Sequence, residues 1–189
     1  MPINFKTAPN IREVIPASRV NQALTELTSY LASHFDLASG NFALVGIQSR
    51  GVILANRIAH VLKRQSHMEV PVGAVDITLY RDDFSSSGIN PIIGETHLDF
   101  NIDEKHIILI DDVLFTGRTV RAAIDQIMDF GRPKAVTLVV LVDRGHRELP
   151  IAADFAPIKV STQREESVNL HVEELDGKDE IVITEAVSA

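Results

Sequence analysis

The sequence predicts an α/β domain with a central, mainly parallel sheet flanked by helices and a small hood or subsidiary sheet. Four short apolar runs have the composition of buried strands, and stretches of helical periodicity alternate with them. Near the carboxyl end, the turn-forming pair Asp176-Gly177 separates two β-branched segments, which favours a hairpin. With 189 residues and 45% hydrophobic content, we expect one domain over residues 1–189.

The amino-terminal part is predicted to follow the order helix, strand, helix, strand. In residues 17–35, apolar side chains recur at spacings of three and four, which indicates an amphipathic helix with Ser18 as its N-cap. We expect about residues 1–16 to be an extension of the domain. The elements that follow are a strand at 42–47, a helix at 52–62 and a strand at 70–80.

The carboxyl-terminal part is predicted to begin with a polar excursion at about residues 82–105, which we interpret as a mobile lid loop. After it, continuous apolar runs indicate buried strands, and Gly131 and Pro133 close a helix between them. In chain order the elements are a strand at 106–110, a helix at 117–130, a strand at 135–142 and the hairpin strands at 168–173 and 180–184.

Composition limits the kinds of function. The chain has no cysteine, which excludes disulfides, cysteine-based zinc sites and thiol catalysis and fits a cytoplasmic location. No apolar run is long enough to cross a bilayer, so we expect no membrane association. The formal net charge of −8 argues against a chain-wide basic surface, although a local patch could still bind nucleic acid.

The strand at 106–110 leads into two adjacent acids, Asp111 and Asp112, at the sheet edge where ligands of parallel sheets bind. Adjacent carboxylates resist burial unless a cation or hydrogen-bond donors, such as the hydroxyls of a vicinal diol, offset their repulsion. Residues 116–119, Thr-Gly-Arg-Thr, open a helix whose free N–H groups suit a phosphate. Together they predict a site for a ribose that carries a 5-phosphate.

Two other interpretations of these residues exist. Either acid could start a turn while Thr116 or Thr119 simply caps a helix. A magnesium phosphatase or receiver-type acidic pocket would also place acids here, but it requires further carboxylates and a lysine at other strand ends.

Residues 107–119, IILIDDVLFTGRT, resemble the phosphoribosyl pyrophosphate signature of type I phosphoribosyltransferases. The resemblance implies the fold of that family, a Mg²⁺ cofactor held mainly through the substrate, and catalytic roles for Asp111 and Asp112 on the ribose hydroxyls. It places the 5-phosphate on residues 116–119, which we call the phosphate cradle. The implied ligand-binding residues are Asp111, Asp112, Val113, Leu114, Phe115, Thr116, Gly117, Arg118 and Thr119.

Other predicted site residues follow the remaining strands. Ser49, Arg50 and Gly51 form a loop that could hold a second anion, and the resemblance identifies it as the pyrophosphate loop; a surface turn with a solvated arginine is the alternative. A polar segment before the excursion could be a lid that brings the cation of Arg81 to the phosphates, or only a local ion cluster. The lid and nucleobase region comprises Tyr80, Arg81, Asp82, Asp83, Asp143, Arg144 and Val160.

Residues 76–83, 117–123 and 141–150 are similar to those of bifunctional pyrimidine operon regulators with uracil phosphoribosyltransferase activity, and the likeness spans about residues 24–183. The resemblance implies transfer of ribose 5-phosphate from phosphoribosyl pyrophosphate to uracil, which gives UMP and pyrophosphate. It also implies UMP-dependent binding of pyrimidine-operon leader RNA, and a homodimer or higher homo-oligomer. A transferase for another base, or a nucleotide-sensing RNA-binding regulator with little catalysis, are the alternatives.

Two residues depart from that pattern, and one helix is poor in cations. Gln48 stands where these regulators usually carry a lysine, and Ala152 replaces a common arginine. The helix at 17–35 has Arg19 as its one arginine and no lysine, so it offers few cations for neutralising RNA phosphates. The RNA-binding half of the expectation is therefore less well supported than the enzymatic half.

Overall fold

The computed structural model describes residues 10–36, 39–67, 69–77 and 96–185. Two sheets and four helices form the described part of the chain. The elements in chain order are β1 (Ile11–Pro16), α1 (Ala17–His34), β2 (Phe42–Ile47), α2 (Arg50–Ser66), β3 (Val72–Val75), β4 (His106–Leu114), α3 (Arg118–Phe130), β5 (Ala135–Asp143), β6 (Ile158–Lys159), β7 (Ser167–His171), α4 (Glu173–Asp176) and β8 (Glu180–Thr184).

The larger sheet has five strands in the order β3-β2-β4-β5-β6, and every neighbouring pair is parallel. All six residues of β2 are buried, as expected for a strand covered on both faces. Along β4, Ile108 and Ile110 pack with α1, α2 and the strands β7 and β8, while Ile107 and Leu109 pack with α3. This alternation divides the core into two layers, and the predicted α/β architecture is confirmed.

The smaller sheet has the order β1-β8-β7 with antiparallel neighbours, and we call it, together with α4, the hood. The predicted pairing of the last two strands is confirmed, but the connection is longer than a tight turn. Residues from Glu173 form the single-turn α4, which ends where Gly177 takes a left-handed φ of 72°. The pairing of β1 with β8 was not predicted, because five of the six β1 side chains are exposed and show no apolar alternation.

The predicted helices are present, with shifted starts. Helix α1 begins at Ala17 and Pro16 is its capping residue, so the N-cap prediction for Ser18 is wrong. The proline has no N–H to donate and already holds the extended conformation that an N-cap needs. Helix α2 begins at Arg50 rather than at residue 52, within the predicted pyrophosphate loop. No helix among the described residues is both long and apolar enough to span a membrane.

The strand predicted at 70–80 and the lid predicted at about 82–105 need correction. Strand β3 ends at Val75 although Asp76 and Ile77 are also described. Residues 96–105 of the predicted lid pack on the domain: the backbones of His97 and Ala74 exchange hydrogen bonds of 2.8 and 2.9 Å, and Ile102 is buried. The lid boundary at 105 was therefore wrong, and residues 78–95 lie outside the described residues.

Gly46 permits the turn from β2 into α2, because a Cβ there would lie 2.4 Å from the Cα of Val52. We expect Gly46→Ala to lower the free energy of unfolding by about 1–3 kcal/mol, the usual range for overpacking, or more if the backbone cannot move. Chemical denaturation measures the loss.

Gly40→Ala is the control, because its Cβ meets nothing within 4 Å and the substitution suffers only from the φ of 63°. That strain amounts to about 1 kcal/mol. A loss at Gly46 no larger than the loss at Gly40 would contradict the packing argument.

Candidate active site

The carboxyl ends of all five parallel strands lie at one edge of the larger sheet, and the predicted site residues of the described chain follow them there. Strand order brings the ends of β2 and β4, and those of β4 and β5, next to each other. The residues that the fold brings to this edge are Ser49, Arg50, Gly51, Asp111, Asp112, Thr116, Gly117, Arg118, Thr119, Asp143, Arg144 and Val160. The predicted Tyr80, Arg81, Asp82 and Asp83 lie outside the described residues.

The two acids lie within β4 rather than after it. The parallel ladder with β5 continues as far as the pair Leu114 and Asp143, so the prediction that the strand ends at residue 110 was too short. Asp111 is 5% exposed, and its Oδ1 accepts the backbone N–H of Asp112 at 3.0 Å. Asp112 is partly exposed. One carboxylate is thus held against the chain while its neighbour reaches the surface of the edge.

The phosphate cradle forms the start of α3. Gly117 takes a φ of 92° and is the N-cap residue, and no side chain caps it. The backbone N–H of Arg118 is 3.4 Å from the Oγ1 of Thr116, which is a long hydrogen bond. The first-turn N–H groups and the positive end of the 13-residue helix are therefore suited to an anion. This arrangement gives little support to the alternative that a threonine merely caps the helix.

The predicted pyrophosphate loop packs directly against the acid pair. A Cβ on Gly51 would lie 2.5 Å from the carbonyl oxygen of Ile110 and 3.4 Å from the Cα of Asp111. The peptide between Gln48 and Ser49 is cis. Because only glycine permits this approach, the start of α2 lies beside the acids, and two helix amino ends border one region of the sheet edge.

Arg50 makes a contact that the sequence did not indicate. Its Nη2 donates to both carboxylate oxygens of Asp176 in the hood, at 3.1 Å each. The pKa of Asp176 is lowered, first by the backbone N–H of Val172, with Arg50 adding to the effect. The two partners are 126 positions apart, and we interpreted Asp176 only as a turn residue. Arg50 is therefore oriented by the hood rather than freely solvated.

The predicted nucleobase residues form a bonded cluster after β5. Arg144 is 6% exposed, donates to the carbonyl of Gln163 at 3.0 Å and lies 4.1 Å over the ring of Phe115. Burial lowers its pKa. Asp143 accepts the N–H of Gly145 through its carboxylate, and its carbonyl accepts the N–H of Val160 at 3.0 Å. Arg144 therefore links the loop after β6 to the residue before the cradle.

A second arginine of α2 also binds the hood. Arg57 donates to Glu174 at 2.9 Å and to Asp179 at 2.9 Å. The hydrogen bonds that Arg57 donates to Glu174 raise the pKa of Arg57 further above its ordinary value, against the effect of burial. The pKa of Glu174 is lowered, chiefly because Arg57 donates to it. These pairs, with that of Arg50, attach the hood to the helix that begins at the site.

The family comparison identifies a "Phosphoribosyl transferase domain" over residues 17–174. The chain is 50% identical over 172 residues to the "Bifunctional protein PyrR" of Ligilactobacillus salivarius, covering 90% of this chain and 96% of that protein. It is 47% identical over 177 residues to the protein of the same name from Thermus thermophilus, covering 94% and 97%.

Solved structures give the fold independently. The hypoxanthine phosphoribosyltransferase of Trypanosoma cruzi aligns with a TM-score of 0.67 at 15% identity and covers 96% of this chain and 99% of that one. The hypoxanthine phosphoribosyltransferase of Staphylococcus aureus aligns with a TM-score of 0.65 at 17% identity, covering 94% and 93%. The predicted type I phosphoribosyltransferase fold is confirmed.

The ion pairs of the hood predict a pH dependence. Because the pKa of Glu174 is lower in the folded chain, its contribution to stability is complete above its unfolded value of about 4.3 and is lost as the pH falls through the folded value. We expect Glu174→Gln to lower the free energy of unfolding near pH 7 by up to about 1 kcal/mol, and the difference from wild type to vanish in acid.

Urea denaturation at several pH values between 3 and 7 measures this difference. The exposed Glu165 provides the control as Glu165→Gln. If the difference in the free energy of unfolding between wild type and Glu174→Gln stayed constant down to pH 3, the stabilising role of the ionised Glu174 would be contradicted.

Proposed function

The chain belongs to the phosphoribosyltransferase family, in its bifunctional PyrR branch, and from this we propose that it transfers ribose 5-phosphate from phosphoribosyl pyrophosphate to uracil. The observation that carries the proposal is the sharing of one sheet edge by the acid pair, the phosphate cradle and the pyrophosphate loop. A ligand with a diol, a 5-phosphate and a pyrophosphate group presents chemistry that suits all three. The products are UMP and pyrophosphate.

The proposed reaction exchanges one bond at the anomeric carbon of the ribose. The bond from that carbon to the pyrophosphate oxygen breaks, a bond to N1 of uracil forms, and the N1 proton leaves. Positive charge develops on the ribose, so Asp111 and Asp112 stabilise it electrostatically while they bind the hydroxyls. The cradle holds the 5-phosphate in position, and the start of α2 with Arg50 receives the departing pyrophosphate. No nucleophilic side chain is required.

Magnesium fits the donors at this edge. The substrate's phosphates and hydroxyls would hold the ion for the most part, and the carboxylates of Asp111 and Asp112 would lie near it, since carboxylate oxygens are ligands that Mg²⁺ prefers. Bound there, the ion would neutralise part of the pyrophosphate charge. We further propose that Arg81, with Tyr80, Asp82 and Asp83, adds a cation and a cover to the site; these four residues lie outside the described residues.

We expect pyrophosphate release from phosphoribosyl pyrophosphate and Mg²⁺ with uracil, and none with hypoxanthine, adenine, guanine or orotate. A coupled assay that detects pyrophosphate measures all five bases in parallel. Release with a different base would overturn the choice of uracil but retain the transferase. UMP binding without release for any base would favour a nucleotide-sensing regulator with little catalysis.

The matched variant for this assay is Asp111→Asn with Asp112→Asn. An asparagine at 111 keeps an oxygen that can accept the N–H of residue 112, so the fold is retained while two charges are lost. Loss of turnover is expected. The control, Asp125→Asn with Asp129→Asn, removes the same charge from exposed positions of α3. This control variant should retain turnover. Unchanged turnover in the first variant would contradict the proposed site.

We propose leader RNA binding as the second activity, supported by the designation of the relatives as bifunctional. Few cations are available on α1, because Arg19 donates to Glu26 and to the carbonyl of Pro157. We expect binding of a pyrimidine-operon leader RNA that strengthens with UMP and weakens as salt rises. Filter binding at several salt concentrations measures both effects. Binding that is absent or insensitive to salt would contradict this second activity.

A further inference from the structure

We propose that Arg147 is a positioning residue that holds the phosphate cradle in its binding shape. The inference rests on the proposed function, because it treats residues 116–119 as the 5-phosphate site. Arg147 follows β5 and its side chain is 22% exposed. It does not belong to the ligand-binding residues predicted from the sequence. Its contacts instead join two stretches of chain that follow the neighbouring strands β4 and β5.

All three nitrogens of the Arg147 guanidinium are engaged. Nη1 donates to the carbonyl of Phe115 at 2.7 Å and to that of Leu114 at 3.3 Å. Nη2 forms an ion pair with Asp143 at 2.5 Å. Nε donates to the carbonyl of Ile151 at 3.1 Å. The planar fork of arginine spreads its donors over three nitrogens that reach these separate partners, whereas an ammonium group offers its donors from a single nitrogen.

The backbone of the same segment continues this pattern along the cradle. The N–H of Arg144 donates to the carbonyl of Leu114 at 3.1 Å. The N–H groups of Glu148 and Leu149 donate to the carbonyl of Thr116 at 3.0 and 3.2 Å. Three successive carbonyls, from Leu114 to Thr116, are therefore bound by residues 144–149. Among these donors, Arg147 contributes the side chain, and it binds the middle carbonyl of the three.

Anchoring the carbonyls decides where the amides point. In a planar trans peptide, the C=O of one residue and the N–H of the next point in opposite directions. The N–H groups of Phe115, Thr116 and Gly117 therefore point away from residues 144–149. Successive backbone N–H groups aimed at one side form an anion-binding concavity. Arg147 favours this arrangement before any ligand arrives, which reduces the ordering that binding would otherwise require.

A purely structural role for Arg147 makes a different prediction. If the residue only closed the turn after β5, its loss would lower stability without a preference among ligands. If it positions the cradle, its loss weakens binding of the 5-phosphate group selectively, because the peptide between Phe115 and Thr116 is then free to rotate. Pyrophosphate binding at the start of α2 provides the comparison, since within the described part of the chain the hydrogen bonds and ion pair of Arg147 go to residues 114, 115, 143, 145 and 151 and not to that helix.

We would measure dissociation constants for ribose 5-phosphate and for pyrophosphate with Mg²⁺ by calorimetry, in wild type, Arg147→Gln and Arg147→Lys. Arg147→Gln should raise the constant for ribose 5-phosphate about 10-fold, the effect of one charge-assisted hydrogen bond, and leave pyrophosphate unchanged. Arg147→Lys keeps the charge beside Asp143 and should recover part of the loss. The lysine variant also keeps the proposal testable if the glutamine variant does not fold.

Arg57→Gln is the matched control, because Arg57 is 20% exposed and also binds carboxylates, but those of the hood. It should lower the melting temperature and leave ribose 5-phosphate affinity unchanged. Wild-type affinity in both Arg147 variants, or an equal loss for pyrophosphate, would overturn the role of Arg147 alone. A wild-type protein that binds no ribose 5-phosphate would overturn the proposed function, and this inference with it.

Discussion

The site depends on a close approach of backbone to backbone where α2 starts. Gly46 and Gly51 have no side chains, and a Cβ on either would lie about 2.4–2.5 Å from neighbouring main-chain atoms. Because these two glycines lack side chains, the amino end of α2 can lie against the ends of β2 and β4. Two helix amino ends, those of α2 and α3, can then border the same carboxylates. The amino end of a helix carries a partial positive charge, which is favourable near carboxylates.

Counting the arginines of the chain overstates the positive charge that is available to an RNA or phosphate ligand. The formal charge is −8, yet many of the cations are used inside the molecule to join segments that are far apart in sequence. Such internal pairs position backbone and loops, and they leave fewer charges for a polyanion. The arginines with internal contacts described above are Arg19, Arg50, Arg57, Arg144 and Arg147.

The sequence could predict what depends on apolar periodicity and could not predict what depends on tertiary pairing. The buried runs of β2, β4 and β5 and the three long helices α1, α2 and α3 could be predicted because their apolar side chains face the core. Strand β1 is held by its backbone pairing with β8, and the two-residue β6 is too short for a pattern. Likewise, the motif indicated Asp111 and Thr116, but no local signal connects Asp176 to Arg50.

The ladder between β4 and β5 explains why the cradle and the segment after β5 meet. Because Leu114 is in register with Asp143, both strands leave the sheet at the same level and in the same direction. The hydrogen bond from the N–H of Arg144 to the carbonyl of Leu114 extends the ladder by one step, and those to Thr116 extend the contact into the cradle. The segment that leads from β4 into the phosphate cradle thus continues the sheet, so the register of two buried strands sets where the cradle begins, while Gly117 and Arg147 set its local shape.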